Sequence, residues 1–551
     1  MRFNPLPFLL LAVNSLAAQN QLADVVFTNG KVWTVDKAKP KAEAIAVLGD
    51  KILAVGTSAE IRQHVGSTTS TIDLKGKLML PGFIDNHTHF MSGGFQLQNV
   101  DLRYANDEGT FARLIKVRAE KFPGRWITGG DWDHDRWKSG KLPTKDLIDP
   151  FTSTTPVFVN RYDGHMALAN SYVLQLVGIT KDTPDPPGGS IVRDAKTGEP
   201  TGILKDEAMS FVYKIIPEPS DDEMMEAARR ALAEARQHGL TSIQDMSSSA
   251  DLRVYQKLKV NGELTTRLYC RLPIFQWEHL ANTGIKVPFG DEWIRIGSLK
   301  AFADGSLGSS TALFFKPFTS DSTTHGLPSD IVLDGRLEEL AVAADKAGLQ
   351  LSIHAIGDSA NSLMLDLFEK IVKQNPPWDR RFRIEHAQHI HPKDFKRFVR
   401  LGVIASVQPY HAIDDGRWAE KRIGHDRCKT TYPFHTFLDS GVKICFGSDW
   451  TVAPLNPLLG IYAAVTRRTL DGANPNGWFP EQKISVEEAI EAYTINNAYA
   501  AFEEREKGSI TIGKLADFVV LSDDILSIDP VEIEKVKVEM TIAGGKIVYK
   551  R

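Results

Sequence analysis

Five segments of this chain carry side chains able to bind a divalent cation. His87 and His89 form an H-x-H pair in PGFIDNHTHF. Lys300 interrupts the apolar run SLKAF, His354 lies in SIHAIGD, His386 in RIEHAQ and Asp449 in FGSDW. In an extended strand, residues i and i+2 point the same way, so two imidazoles spaced as H-x-H can converge on one ion. Each residue alone is weak. A lone buried histidine is usually a core residue, a strand-end aspartate is often a helix cap, and a lone lysine can snorkel to water. Six metal-capable residues at five strand ends, in a consistent order, are hard to explain by packing. They point to a metal centre. Imidazole and carboxylate ligation suits Zn²⁺, and also Mn²⁺, Fe²⁺ or Co²⁺, at one or two ions per chain.

The elements that must position these residues read as a parallel α/β barrel. Short apolar strands alternate with helical stretches through the middle of the chain. Strands are predicted at 78–85, 240–246, 266–272, 294–302, 349–355, 381–387, 403–408 and 442–448, the eight that a closed barrel needs. Helices are predicted at 221–238, 335–347 and 358–374. The first opens on a Ser220/Asp221 cap, is acidic in its first turn and stops before Gly239. Catalytic groups in such barrels gather at the carboxyl ends of the strands. About 150 residues separate the first two strands. An insert at 92–219 fills this gap, rich in Gly, Pro, Asp and Trp, with a strand at 157–161 and a hairpin around 190–203. Long structured loops at that face usually shape the substrate site, so the insert reads as a lid or specificity subdomain.

Both ends of the chain are β-rich. Residues 24–36 read as a hairpin about Asn29-Gly30, 43–56 as a second about Gly49-Asp50, and 71–78 as a further strand. Residues 508–522 and 537–549 repeat the pattern near the carboxyl end. The economical arrangement is one small β-sandwich built from residues 19–77 and from 481–551, the latter opening with a terminal helix, flanking a barrel at 78–480.

Composition excludes several classes. With 551 residues, 42% hydrophobic and 24% charged, the chain is globular rather than disordered. A net charge of −4 argues against a dedicated nucleic-acid binder. Three cysteines, with no CxxC, cannot build a disulfide framework. Residues 1–18, MRFNPLPFLLLAVNSLAA, have the three-part form of an export signal: Arg2, an apolar stretch from Leu6 to Val13, then small residues. That stretch is too short to span a membrane, and no later apolar run is long enough. The expected location is therefore periplasmic or secreted, with no integral membrane segment.

The motifs resemble the amidohydrolase superfamily, in its family 3 branch of YtcJ-like and N-substituted formamide deformylase-like proteins. PGFIDNHTH, GGDWDHDRW, DGHMALANS, KAFADGSLGSSTA, HAIGD, RIEHAQ, FGSDW and GSITIGKLADFVVL carry the likeness across nearly the whole chain. The resemblance implies a metal-bearing TIM-like barrel beside a composite β-sandwich, and it places strand 157–161 in the insert. His87, His89 and Asp449 would hold the more buried metal, and His354 and His386 the second. Lys300 would bridge the two as an N-carboxylated lysine, or stay unmodified if a single metal is bound. A desolvated lysine has a lowered pKa and a free amine able to react with carbon dioxide. The implied reaction is hydrolysis of a non-peptide C–N bond, of amide or N-formyl type, in a small molecule by metal-activated hydroxide. Asp449 would shuttle the proton. His165 and His411 would bind the oxyanion, Trp132, Asp133 and Asp304 would line the pocket, and a homodimer is plausible by family.

Deamination is the runner-up. It is disfavoured because Ala355, Ile356 and Gly357 follow His354, where the superfamily's deaminases carry an HxE. Lactone or ester hydrolysis uses the same chemistry. A non-catalytic binding relative would be expected to have lost ligands, and this chain keeps them all. No GxSxG nucleophile elbow, phosphate loop or Rossmann fingerprint is present.

Overall fold

A computed structural model of the protein describes residues 21–103, 105–134, 137–161, 166–186, 189–308 and 310–551. The segment 1–18, expected to be an export signal, and the candidate His165 lie outside them. The chain divides into two compact units, one formed by residues 1–90 with 232–551, the other by Met91–Ala231.

The first unit contains the barrel. Its strands are β1 (Phe83–Thr88), β2 (Leu240–Met246), β3 (Arg267–Pro273), β4 (Ile294–Phe302), β5 (Leu351–Ala355), β6 (Arg383–His386), β7 (Ile404–Val407) and β8 (Ile444–Phe446). They follow one another in chain order, and every neighbouring pair is parallel. All are buried over most of their length, as parallel strands flanked by helices must be. The ring closes between β8 and β1 at a parallel bridge, Thr88 to Trp450. Asp449 N donates to His87 O and His89 N donates to Trp450 O, both at 2.7 Å. Closure therefore runs through the candidate ligands themselves. The predicted helices appear at Asp221–Gln237, Arg336–Lys346 and Asp358–Gln374.

Both chain ends build the flanking sandwich. One sheet has the order Lys51–Gly56, Ala44–Leu48, Val25–Thr28, Ser70–Asp73. The other runs Lys546–Lys550, Val538–Ala543, Phe518–Leu521, Leu78–Pro81, Lys31–Trp33, Lys41–Ala42. Phe27, Ile45, Met79, Phe518 and Ile542 pack into one core between them. Phe27 meets Phe518 edge to face at 5.9 Å. Arg267 on β3 fixes the sandwich to the barrel with a buried two-pronged pair to Asp517, at 2.8 and 3.0 Å.

Two readings of local pattern are corrected. Residues 78–85 are not one barrel strand. Leu78–Pro81 pairs with Phe518–Leu521 in the sandwich, and the barrel begins at Phe83, after Gly82. A continuous apolar run carries no periodicity that could mark this boundary. The strands on either side of Asn29-Gly30 do not form a hairpin either. Val25–Thr28 and Lys31–Trp33 belong to different sheets. Asn29 adopts a left-handed φ of 54° and steers the chain from one sheet to the other.

The second unit holds a five-stranded sheet in the order Gly189–Arg193, Pro200–Asp206, Met166–Ala169, Phe158–Arg161, Gly130–Trp132. It extends past residue 219, ending within the helix Asp221–Gln237. Trp132 lies in its core, its indole N–H donating to Val159 O at 2.8 Å. Asp133 lies 3.4 Å from Arg161.

Gly447 has no room for a side chain. A Cβ there would sit 2.5 Å from Asn86 Oδ1 and 2.7 Å from His87 N. Gly447→Ala is expected to strain the β8–β1 seam by about 1–3 kcal/mol. It should lower the thermal midpoint in a melting experiment; an unchanged midpoint would refute this account of closure.

Candidate metal centre

β1 delivers His87 and, one residue beyond it, His89. Lys300 comes from β4, His354 from β5, His386 from the end of β6 and Asp449 from just after β8. His411 lies in the short helix Pro409–Asp415, after β7. Two of these segments leave ordinary strand geometry at the site. His386, Ala387 and Asp449 have φ values of 71°, 39° and 56°. Non-glycine residues hold left-handed conformations only where the surroundings enforce them, and functional sites are where such strain gathers.

Two sets of donor atoms converge. His87, His89 and Asp449 form one, and His386, His411 and Asp449 the other; within each set the atoms lie within 4.8 Å of one another. Asp449 Oδ1 is 3.5 Å from His87 Nε2 and 3.4 Å from His89 Nε2. The imidazole rings of His87 and His386 are 4.8 Å apart, and those of His354 and His386 4.5 Å. His354 thus borders the cluster, but its Nε2 lies 3.1 Å from Gly305 O. Asp304 accepts from the backbone N–H groups of Leu313, Ile356 and Gly357 at 2.8–3.0 Å and braces the loops after β4 and β5.

The charge that organises the cluster is one that sequence reading missed. Glu385, fully buried on β6, accepts from Arg271 at 2.6 Å and Ser352 at 3.0 Å on Oε1. Its Oε2 accepts from Ser406 at 2.6 Å and meets His87 Nδ1 at 2.5 Å. Arg383 Nε lies 3.1 Å away. Burial alone would raise the Glu385 carboxyl, but Arg271, Arg383 and His87 hold it well below its ordinary value. A permanent carboxylate at Nδ1 keeps the His87 proton there and leaves Nε2 as a bare lone pair. Gln408 Oε1 engages His386 Nδ1 in the same way, at 2.8 Å. The sequence signal was the acidic residue beside His386 in RIEHAQ, with Arg271 and Arg383 inside two strands expected to be buried.

The donors suit a cation. Metal-binding histidines must be neutral. Burial, aided by Lys300, pushes His87 down to about 3, and burial among neighbouring imidazoles holds His386 well below its ordinary value. Burial would raise Asp449, but the surrounding histidines keep it far below the usual carboxylate range. Burial presses Lys300 down to about 8, so its free amine is far easier to reach than that of an exposed lysine. Among the described residues, His87 Nε2, His411 Nε2 and Lys300 Nζ are buried without a hydrogen-bond partner. Leaving a buried polar atom unmatched costs about 1–3 kcal/mol. A cation at this place would satisfy lone pairs that the protein leaves unused.

A parallel barrel with a histidine–aspartate cluster at its carboxyl end is the architecture of barrel hydrolases. The amidohydrolase family model matches residues 70–549, and the chain belongs to that family; it is a hydrolase. It is 38% identical to Protein LONG AFTER FAR-RED 3 of Arabidopsis thaliana, covering 96% of this chain and 92% of that protein. It is 31% identical to the putative amidohydrolase YtcJ of Bacillus subtilis and 28% identical to the N-substituted formamide deformylase of Arthrobacter pascens, each covering 96% of this chain and 99% of the relative. Among solved structures, an uncharacterized metal-dependent hydrolase from Pyrococcus horikoshii superposes with a TM-score of 0.77 at 28% identity, covering 92% of this chain and 99% of that one.

Glu385→Gln keeps the shape and removes the charge. It should weaken zinc binding about 10–100-fold, the usual effect of losing a carboxylate behind a ligand histidine. Calorimetric titration of metal-free protein checks this, and wild-type affinity in the variant would contradict the orienting role.

Proposed function

We propose that this hydrolase cleaves a non-peptide C–N bond, of amide or N-formyl type, in a small molecule, using one or two divalent cations, with Zn²⁺ the leading choice. The observation that carries the reading is the pair of donor sets sharing Asp449, with unpartnered nitrogens aimed into them. The similarity to a deformylase and to a metal-dependent hydrolase supports it.

His87, His89 and Asp449 would hold the first cation. His386 would hold the second, with His354 or His411 beside it. Bound there, a divalent ion supplies Lewis acidity, lowering the pKa of water towards 7 and polarising a carbonyl. Lys300 would contribute either its neutral amine or, after carboxylation, an anionic bridge. Asp449 has two carboxylate oxygens, so one can bind while the other takes a proton and returns it to the leaving nitrogen. Its very low proton affinity suits brief carriage rather than storage. His411 Nε2, buried and unmatched, is placed to donate to an oxyanion once protonated.

The insert is assigned to specificity, and a homodimer is expected from the family resemblance. Export rests on residues 1–18. Among the described residues, no helix is long and apolar enough to cross a membrane.

A panel of N-formyl amines, N-acyl amines, cyclic amides and lactones, assayed with zinc or manganese, tests the reading. Turnover of at least one amide is expected, and chelation should abolish it. Asp449→Asn should reduce kcat by about 10²–10⁴-fold, the range of a lost acid–base group. Activity confined to lactones, or an Asp449→Asn variant with full turnover, would overturn it.

A further inference from the structure

One short stretch of the second unit, around Phe122, gathers positive side chains. Helix Glu108–Lys121 ends with Arg118 and Lys121, and Arg125 follows shortly after. All three cations surround one ring, Phe122: Arg118 at 4.0 Å from its centroid, Lys121 at 5.4 Å and Arg125 at 5.6 Å. The nearby acid, Glu226, is already shared. It pairs with Arg230 at 3.0 Å and lies 3.6 Å from Arg125. Glu223 is taken up in capping Ser220, at 2.8 and 2.9 Å. Among the described residues, no carboxylate stands within ion-pair distance of Arg118. Burial and the neighbouring Arg230 and Arg125 all disfavour its charge.

Arg118 and Arg125 open into a cavity of about 420 Å³. Its other lining sets Phe95, Trp126, Ile216 and Pro217 beside the polar Gln98, Asn99 and Thr128 and the Glu223 carboxylate. The cavity is large enough for a small organic molecule. Two guanidinium groups crowded on one side of an aromatic-walled cavity suit a planar or tetrahedral oxyanion, which each fork can grip with paired hydrogen bonds.

We propose that this cavity binds a small organic anion, a carboxylate or phosphate monoester on a compact apolar body. Arg118 and Arg125 hold the charge, and Trp126 and Ile216 enclose the body. None of its lining residues belongs to the metal cluster.

Calorimetric titration of the full-length protein with benzoate, phenyl phosphate, inorganic phosphate and uncharged benzyl alcohol tests this. Saturable binding of benzoate or phenyl phosphate is expected, at least tenfold tighter than inorganic phosphate, with none for benzyl alcohol. The tighter of the two ligands identifies a carboxylate or a phosphate as the natural group. Arg118→Gln should weaken binding at least tenfold, and Arg118→Lys, which keeps charge but not the fork, by less. Both variants must retain the wild-type circular dichroism melt; if Arg118→Gln does not, Arg125→Gln takes its place. His89→Ala should leave binding unchanged. Loss of binding in His89→Ala would put the anion at the metal cluster and overturn the proposal. So would wild-type affinity in the arginine variants, or no saturation by either aromatic anion.

Discussion

The site depends on a single buried negative charge. Glu385 has no access to water, and an isolated carboxylate in that position would be protonated or would unfold its surroundings. Arg271 and Arg383, also fully buried, make it a permanent anion. The arginines are held in turn: both donate to Asn86 O, and Arg383 donates to Gln244. Asn86 immediately precedes His87, so the network that fixes the carboxylate also fixes the backbone beside the ligand. Side chains from β1, β3, β5, β6 and β7 meet at this one charge. Removing one partner of such a network costs about 3–5 kcal/mol, because the others are left buried and unmatched.

From that charge the rest of the electrostatics follows. Glu385 fixes the His87 tautomer and Gln408 engages the corresponding nitrogen of His386, which directs the remaining ring nitrogens inward. Burial keeps both rings neutral. The same burial makes the free amine of Lys300 easier to reach. Asp449 remains ionised because the histidines around it outweigh its desolvation. Neutral imidazoles and an ionised carboxylate are the protonation states a divalent cation requires of its ligands.

Much of this was legible in the sequence, and the misses have physical reasons. The eight strands and the H-x-H pair were readable because alternation and strand-end position are local properties. Glu385 was not, because simple alternation puts residues 385 and 386 on opposite faces. The left-handed φ of His386 ends the strand and lets both neighbours reach His87. His411 was readable only as a histidine after β7; its convergence with His386 and Asp449 depends on the helix Pro409–Asp415. Trp132, expected in the pocket, packs in the core of the second unit, while Asp304 accepts from backbone N–H groups and also lies 3.4 Å from His354. The split of 78–85 between sandwich and barrel was invisible because both strands are apolar throughout.

The most direct test of the account is metal content per chain, by elemental analysis of protein purified without chelator and after incubation with zinc. The account predicts one or two zinc-type ions per chain. About two would make Lys300 the candidate bridge, and about one would leave it an ordinary buried amine. Protein with no metal as isolated and no uptake when zinc is supplied would contradict the central claim that the converging histidines and Asp449 form a cation site.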